Sequence, residues 1–376
     1  GLRSVVLPRN MADFYNAGDT IRFAALPRQD WRPWMKQDGW PGIAVMGAGA
    51  VGCYFGGLLA RAGAPVTLIG RAQHVDAIRQ YGLFLDTQEF QEKVPVAAST
   101  EASAAQGAGL ILLCVKTLDT EDAVRALEPY AAPDAIVLSC QNGVDNVERI
   151  RSATRLHAIP AVTYVAAAMS GPGRVKHSGH GSFVLGNLPH RVLRQATGAA
   201  AASVPQSKDA AAAYEAPRSE LEALKAIFQR AGIGCRISDN VEGELWAKMI
   251  VNCSYNAISA LGRSKYSVMG EDEPTLGIMR LAIAECIAVA QAGGVCLPEG
   301  DWVRSTLDLT KTMGNATSST AQDIARGKRT EIDSFNGYLV RRGKELGIAT
   351  PVSQTLHGLI KLLEKNTCEP EKSCAS

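Results

Sequence analysis

One stretch of this chain sets a lysine and two asparagines in a line. In Glu244-Leu-Trp-Ala-Lys248-Met-Ile-Val-Asn252-Cys-Ser-Tyr-Asn256, Lys248, Asn252 and Asn256 recur at i, i+4 and i+8. At about 100° per residue each step drifts by only ~40°, so the three share one helix face. The residues between them are mostly apolar, Leu245, Met249, Ile250 and Val251 among them. A lysine and two amides on such a helix are costly to bury without partners, and a bound polar substrate would supply those partners. The plainer reading is an exposed polar stripe on an amphipathic helix.

A second candidate segment runs from Ser318-Ser319 through Asp323 and Gly327 to Thr330-Glu331 and Asn336-Gly337. Gly327 suits the left-handed end of one helix. Thr330 suits the cap of the next, which would put Glu331 in its first turn. That bend would carry Ser319 and Glu331 toward one cleft. Taken alone, Glu331 is only a surface acid favoured by the helix dipole.

These groups need a scaffold, and the scaffold announces itself at Gly42-Ile-Ala-Val-Met-Gly47-Ala-Gly49-Ala-Val-Gly52. A short apolar strand runs into Gly-x-Gly-x-x-Gly. A small-residue helix follows from Cys53 to Ala62, and a second strand at Pro65–Ile69. In a chain with 36 glycines the triplet alone is weak evidence; strand, turn, helix and strand within one βαβ unit make it a dinucleotide fingerprint. Gly47, Ala48, Gly49, Ala50, Val51 and Gly52 are thus the candidate pyrophosphate cradle, with the helix N-terminus facing the phosphates. The second strand ends in Gly70-Arg71, with no acid until Asp76. An acid there would accept a ribose 2′-hydroxyl; an arginine fits a 2′-phosphate, so the expected cofactor is NADP.

Two further buried strands are predicted, Leu110–Val115 ending in Lys116-Thr117 and Ala135–Cys140 ending in Gln141-Asn142-Gly143. Near-continuous apolar strands between helices imply a parallel sheet covered on both faces, which binds ligands at the strands' carboxyl ends. Lys116 and Asn142 stand there, although Asn-Gly is also an ordinary turn pair. Glycines between 173 and 186 predict a hairpin, and 233–237 a further strand after a helix from Arg218. From Asn240 onward the signals are helical, notably at Leu276–Ala292 and Phe335–Leu346.

The expected fold class is α/β: an N-terminal Rossmann-type dinucleotide-binding domain followed by an all-helical C-terminal domain. Residues 1–41 read as an N-terminal extension, 42–238 as the Rossmann domain with an alanine-rich insertion near 188–217, 239–366 as the helical substrate domain, and 367–376 as a tail. The chain is 46% hydrophobic and 20% charged with a net charge of +2, an ordinary globular composition that points to neither nucleic acid nor a membrane surface. Nine cysteines without a C-x-x-C pair indicate free thiols in a reducing cytoplasm and no metal site. No uncharged apolar run long enough to span a bilayer is evident, and the N-terminus lacks a signal-peptide core.

Taken together and in order, Gly47-x-Gly49-x-x-Gly52, Val115-Lys116-Thr117, Gln141-Asn142-Gly143, Glu244-Leu-Trp-x-Lys248-x-x-x-Asn252 and Thr330-Glu331-Ile-Asp-x-x-Asn336-Gly337 resemble the ketopantoate reductases, or 2-dehydropantoate 2-reductases. The likeness covers about 42–187 and 218–365. It implies NADPH-dependent reduction of 2-dehydropantoate to (R)-pantoate, on the way to coenzyme A. By the same resemblance Lys248 is the catalytic acid, and Asn252, Asn256 and Ser319 contact the substrate. Glu331 acts at the catalytic centre next to substrate and cofactor. Lys116 and Asn142 lie by the cofactor, Asn142 also by the substrate, and Arg71 matches the 2′-phosphate arginine. The extension and the insertion depart from the family pattern without removing a site residue. The implied partner is a small-molecule 2-keto acid, with the protein a monomer or homodimer. Two other readings stay open: an NADP-dependent reductase of another 2-keto acid, and a non-catalytic NADP-binding sensor, which would have no need of the Lys/Asn/Asn face.

Overall fold

A computed structural model describes residues 39–189 and 214–367. The expectations for the extension before residue 39, for 190–213 of the insertion and for the tail beyond 367 lie outside the described residues. The described chain forms two compact units, divided between Val241 and Glu242, against an expected boundary at 238.

The first unit is built on ten strands: β1 (Ile43–Met46), β2 (Val66–Ile69), β3 (Leu83–Asp86), β4 (Gln91–Val94), β5 (Ala97–Ser99), β6 (Leu110–Leu113), β7 (Ile136–Ser139), β8 (His157–Gly171), β9 (Arg174–Leu185) and β10 (Gly234–Ile237). Their order is β4-β3-β9-β8-β7-β6-β1-β2-β5, with β10 also on β9. From β5 through β2, β1, β6 and β7 to the start of β8 the pairing is parallel. β6 and β7 are buried throughout, and apolar but for the terminal Ser139, because helices cover both faces. The chain leaves β1 toward β2 and returns on the other side of β1 at β6, so the switch point of the sheet lies at the carboxyl ends of β1 and β6.

Beyond β7 the sheet changes character. β8 continues as one arm of a long antiparallel hairpin with β9. β3 and β10 then pair in parallel with opposite ends of β9. The hairpin expected within 173–186 is therefore not local. Arg174–Leu185 is a single strand that turns at Pro172-Gly173 onto His157–Gly171, a strand the sequence did not disclose. Within that stretch Gly181 is skipped in the register between Ser182 and His180 and marks a bulge rather than a turn.

Five helices of this unit, among the described residues, are α1 (Ala50–Arg61), α2 (Ala72–Tyr81), α3 (Thr120–Leu127), α4 (Asn146–Ala153) and α5 (Arg218–Arg230). Helix α1 brings Phe55 against Phe183 of β9 at 4.1 Å between ring centroids, and Phe183 meets Phe228 of α5 at 4.9 Å. These three fully buried rings pin the fingerprint helix to the hairpin part of the sheet.

The second unit is helical throughout its described residues: α6 (Val241–Gly262), α7 (Tyr266–Glu271), α8 (Glu273–Ala292), α9 (Trp302–Thr312), α10 (Ser319–Ala325), α11 (Asn336–Leu346) and α12 (Pro351–Thr367). The central helix is α6. Met249, Ile250, Cys253, Tyr255 and Ala257 on it are all but inaccessible, and the Tyr255 hydroxyl donates to the Thr306 carbonyl at 2.7 Å. Helix α8 is, by length and composition alone, long and apolar enough to cross a membrane, though it is not an uncharged run. Yet α8 carries Arg280 and Glu285, and Glu285 accepts from the backbone N–H groups of Val352 and Ser353 at 2.7 and 2.8 Å. It thereby caps α12 with a negative charge at the positive end of its dipole, as a structural helix of the unit does.

Candidate active site

The glycine turn is locked from below and open above. The N–H groups of Gly47 and Ala48 both donate to the Ile69 carbonyl at 2.9 Å, which ties the turn to the end of β2. Gly47 has φ +110°, and a Cβ there would lie 2.6 Å from the carbonyl carbon of Cys114, so only glycine fits. At Gly52 a Cβ would sit 2.2 Å from the Gly47 oxygen and 2.9 Å from a Val45 methyl; the missing side chain lets α1 approach the turn. At Gly49 a Cβ would meet nothing within 4 Å. Gly49 is also the N-cap of α1, with no side chain capping it and no acid in the first turn. A free helix N-terminus beside open space is what a pyrophosphate requires, so the cradle fits a dinucleotide.

Arg71 follows the same strand end. It is exposed, heads α2, and makes no ion pair among the described residues. Gly70 holds it close to the turn, since a Cβ at Gly70 would lie 2.5 Å from that of Ala48.

The loops after β6 and β7 are joined by a polar network that the sequence did not reveal. Thr117 Oγ1 donates to the Asn142 carbonyl at 2.9 Å, and Asn146 Nδ2 donates to the same oxygen at 2.7 Å. Gln141 Nε2 donates to the Val115 carbonyl at 3.1 Å and to Thr120 Oγ1 at 2.7 Å. Lys116 and Asn142, both half-buried, thus stand on one braced platform at the carboxyl ends of adjacent strands. The motifs Val-Lys-Thr and Gln-Asn-Gly were the only signal for Thr117 and Gln141; Asn146 had none.

In the second unit Lys248, Asn252 and Asn256 all lie on α6. Asn256 is 3% exposed and donates to Asn252 Oδ1 at 3.5 Å; Lys248 and Asn252 are half-buried. The face is therefore not a solvated stripe. Both other candidate segments are bolted to neighbouring turns of this helix. Ser318, the N-cap of α10, donates through its hydroxyl to the Asn256 carbonyl at 3.0 Å, and its own N–H donates to Ser259 Oγ at 3.2 Å. Ser319 is the next residue. Asn336, at the head of α11, donates to the Cys253 carbonyl at 3.1 Å. Gly327 does end α10 with φ +62°. Glu331, however, is not in the first turn of a helix. It precedes a single 3-10 turn at Ile332–Ser334, and α11 starts only at Asn336. Thr330 is committed elsewhere: its N–H and hydroxyl donate to Glu364 Oε1 at 2.7 and 2.6 Å.

Glu364 belongs to a charged network on α12. Its other oxygen lies 2.9 Å from Lys361 Nζ, which also donates to Asp333 Oδ2 at 2.8 Å. His357 Nε2 donates to Asp333 Oδ1 at 2.7 Å. The His357 hydrogen bond, reinforced by Lys361 against the opposing effect of burial, holds the Asp333 carboxyl well below the usual carboxylate range. Burial pushes Glu364 up, but the bonds from Thr330 and Lys361 win and leave it lowered. A depressed carboxylate stabilises the fold above its unfolded pKa, about 3.9 for Asp and 4.3 for Glu, and that contribution is lost on acidification. The expected result is a Tm that is flat near neutrality and falls steeply below about pH 4. Asp333→Asn should have a lower neutral Tm and a shallower acid slope in thermal melts; an unchanged slope would contradict the assignment.

A glycine turn fit for a dinucleotide on a parallel sheet and, in the second unit, a partly buried lysine–amide face are what a nicotinamide-dependent oxidoreductase requires. The comparisons make this specific. Residues 43–190 match the family profile "Ketopantoate reductase PanE/ApbA", and 240–364 match its C-terminal counterpart. The 2-dehydropantoate 2-reductase of Pyrococcus horikoshii is 32% identical over 86% of this chain and 97% of that protein. The Halobacterium salinarum enzyme of the same name is 30% identical over 86% and 99%. A PanE/ApbA family ketopantoate reductase from Ralstonia eutropha has a similar crystal structure, with TM-score 0.76, 46% identity and coverage of 86% and 99%. D-mandelate dehydrogenase, solved with NADH and anilino(oxo)acetate, superposes with TM-score 0.75 at 25% identity, over 86% and 99% of the chains. The chain belongs to the ketopantoate reductase family.

Proposed function

We propose that the protein reduces 2-dehydropantoate to (R)-pantoate with NADPH. The observation that carries this is the partly buried Lys248–Asn252–Asn256 face, with the segments bearing Ser319 and Glu331 anchored on neighbouring turns of the same helix. The names of the relatives supply the substrate.

The turn Gly47–Gly52 and the platform of Lys116 and Asn142 would hold the dinucleotide, whose nicotinamide supplies the hydride when bound. The residues of the second unit manage the substrate. Asn252, Asn256 and Ser319 hold its polar groups, and Glu331 accepts from its hydroxyl. As negative charge develops on the keto oxygen, the Lys248 ammonium stabilises it and passes its proton to it. NADPH oxidation by the purified protein with ketopantoate tests the proposal directly; no turnover despite tight NADPH binding would revive the sensor reading.

NADPH rather than NADH rests on Arg71, which stands at the end of β2 where NAD sites carry an acid. Arg71→Ala should weaken NADPH at least tenfold, about 1.4 kcal/mol, and leave NADH nearly unchanged in fluorescence titrations. A wild type that binds both equally would sink the assignment. The likeness to D-mandelate dehydrogenase with NADH supports a second reading, reduction of another 2-keto acid, which a panel of keto acids separates.

A further inference from the structure

We propose that Asp333 is a positioning residue for Glu331, acting through His357 and Lys361 of α12. The inference rests on the role given to Glu331 above.

The segment around Glu331 is closed into a ring by α12. Thr330, the residue before it, is tied to Glu364; Asp333, two residues after it, is tied to Lys361; and Lys361 bridges to Glu364 at 2.9 Å. Glu331 is therefore held inside a loop whose two ends share one lysine. Both Asp333 oxygens are used, Oδ1 by His357 at 2.7 Å and Oδ2 by Lys361 at 2.8 Å. Those donors are one helical turn apart, so they fix the plane of the carboxylate as well as its place. The ring is also seated. Thr330, Ile332 and Ser334 are at most 2% exposed, whereas Glu331 and Asp333 are only partly covered. The backbone is thus clamped on alternate residues, and Glu331 leaves it on the less buried side. Room for His357 is made by Gly337, where a Cβ would lie 2.9 Å from His357 Nε2.

None of these groups needs to touch substrate. Their effect is to set where the Glu331 carboxylate stands. A misplacement of ~1 Å at a reacting centre can cost ~10²-fold in rate. Asparagine in place of Asp333 keeps the shape but offers one acceptor where two donors arrive, so one tether is lost.

The test uses full-length protein, ketopantoate and NADPH. Asp333→Asn should lower kcat by about 10- to 100-fold with NADPH affinity unchanged. Glu331→Gln should also be slow. The double variant Glu331→Gln/Asp333→Asn should be no slower than Glu331→Gln alone, because Asp333 acts through Glu331. A merely structural role for Asp333 would instead multiply the two losses, and that result overturns the proposal. So does an Asp333→Asn variant with wild-type kcat. His357 gives an independent reading if Asp333→Asn does not fold. His357→Leu should lose several-fold in kcat, and His357→Gln, which keeps a donor near the Nε2 position, should recover most of it; equal rates for the two would overturn the proposal. If Glu331→Gln alone turns over at the wild-type rate, the role of Glu331 fails first, and the inference falls with it by a separately visible route.

Discussion

Replacing Lys248 with alanine is expected to remove most of kcat for ketopantoate, roughly 10²-fold or more, the usual size of a lost general acid. NADPH binding should stay near wild type, because the cradle and Arg71 are in the other unit. The helix should survive. Alanine is the best helix former, and Met249, Ile250 and Cys253, which seat α6 in its core, are untouched. The wild-type enzyme should reduce more slowly in alkaline solution, where the ammonium form is depleted, while oxidation of pantoate gains. The variant should lose that opposition. Steady-state rates across pH, with a fluorescence titration of NADPH, decide the matter; a near-wild-type rate in the variant would mean that the proton comes from another group.

The second large effect separates two glycines three residues apart. Gly52→Ala forces a methyl carbon to within 2.2 Å of the Gly47 oxygen, so the turn or α1 must move. Overpacking of this kind costs about 1–3 kcal/mol, and Tm should drop by several degrees as NADPH affinity collapses. Gly49→Ala meets no protein atom within 4 Å. Its Tm should match wild type, yet NADPH affinity should fall about tenfold or more, because the methyl would occupy the space left for phosphate. Equal loss of Tm in both variants would show that Gly49 is structural. Unchanged affinity in Gly49→Ala would place the dinucleotide elsewhere.

What the sequence disclosed follows the range of the interactions involved. The turn at Gly47–Gly52 was legible because its geometry is dictated by local sterics. The α6 face was legible because helical spacing puts Lys248, Asn252 and Asn256 in line whatever surrounds them. β8 was not, since Pro160 and the alanines at 166–168 flank its short β-branched and aromatic run at Val162–Val165 and hide its full length; it extends over fifteen residues because β7 and β9 pair with it. β3, β4 and β5 were missed for a related reason, being three- or four-residue strands whose partners supply the evidence. Thr330 was misread as a helix cap because the acceptor that claims it, Glu364, lies 34 residues away. The ring of Asp333, His357, Lys361 and Glu364 is a tertiary fact throughout.

The shared hairpin also has a consequence for the order of folding. β1, β2, β6 and β7 can pair as they emerge, each joined to its neighbour by a single crossover or a few short elements. β3 cannot complete its pairing at that stage, because Phe84 pairs with Arg174, some 90 residues downstream. Until β9 arrives, β3 and β4 form a two-stranded ribbon with a bare edge, and such edges recruit other chains. Closing so long a loop is slow on entropic grounds, whereas helical units rich in local contacts fold quickly. The strand-bearing unit is thus expected to close more slowly than the helical one, with that edge exposed in the meantime. Ligands that bind the strand-bearing unit once it is formed, the dinucleotide first among them, would rescue yield by drawing the completed sheet out of the folding equilibrium.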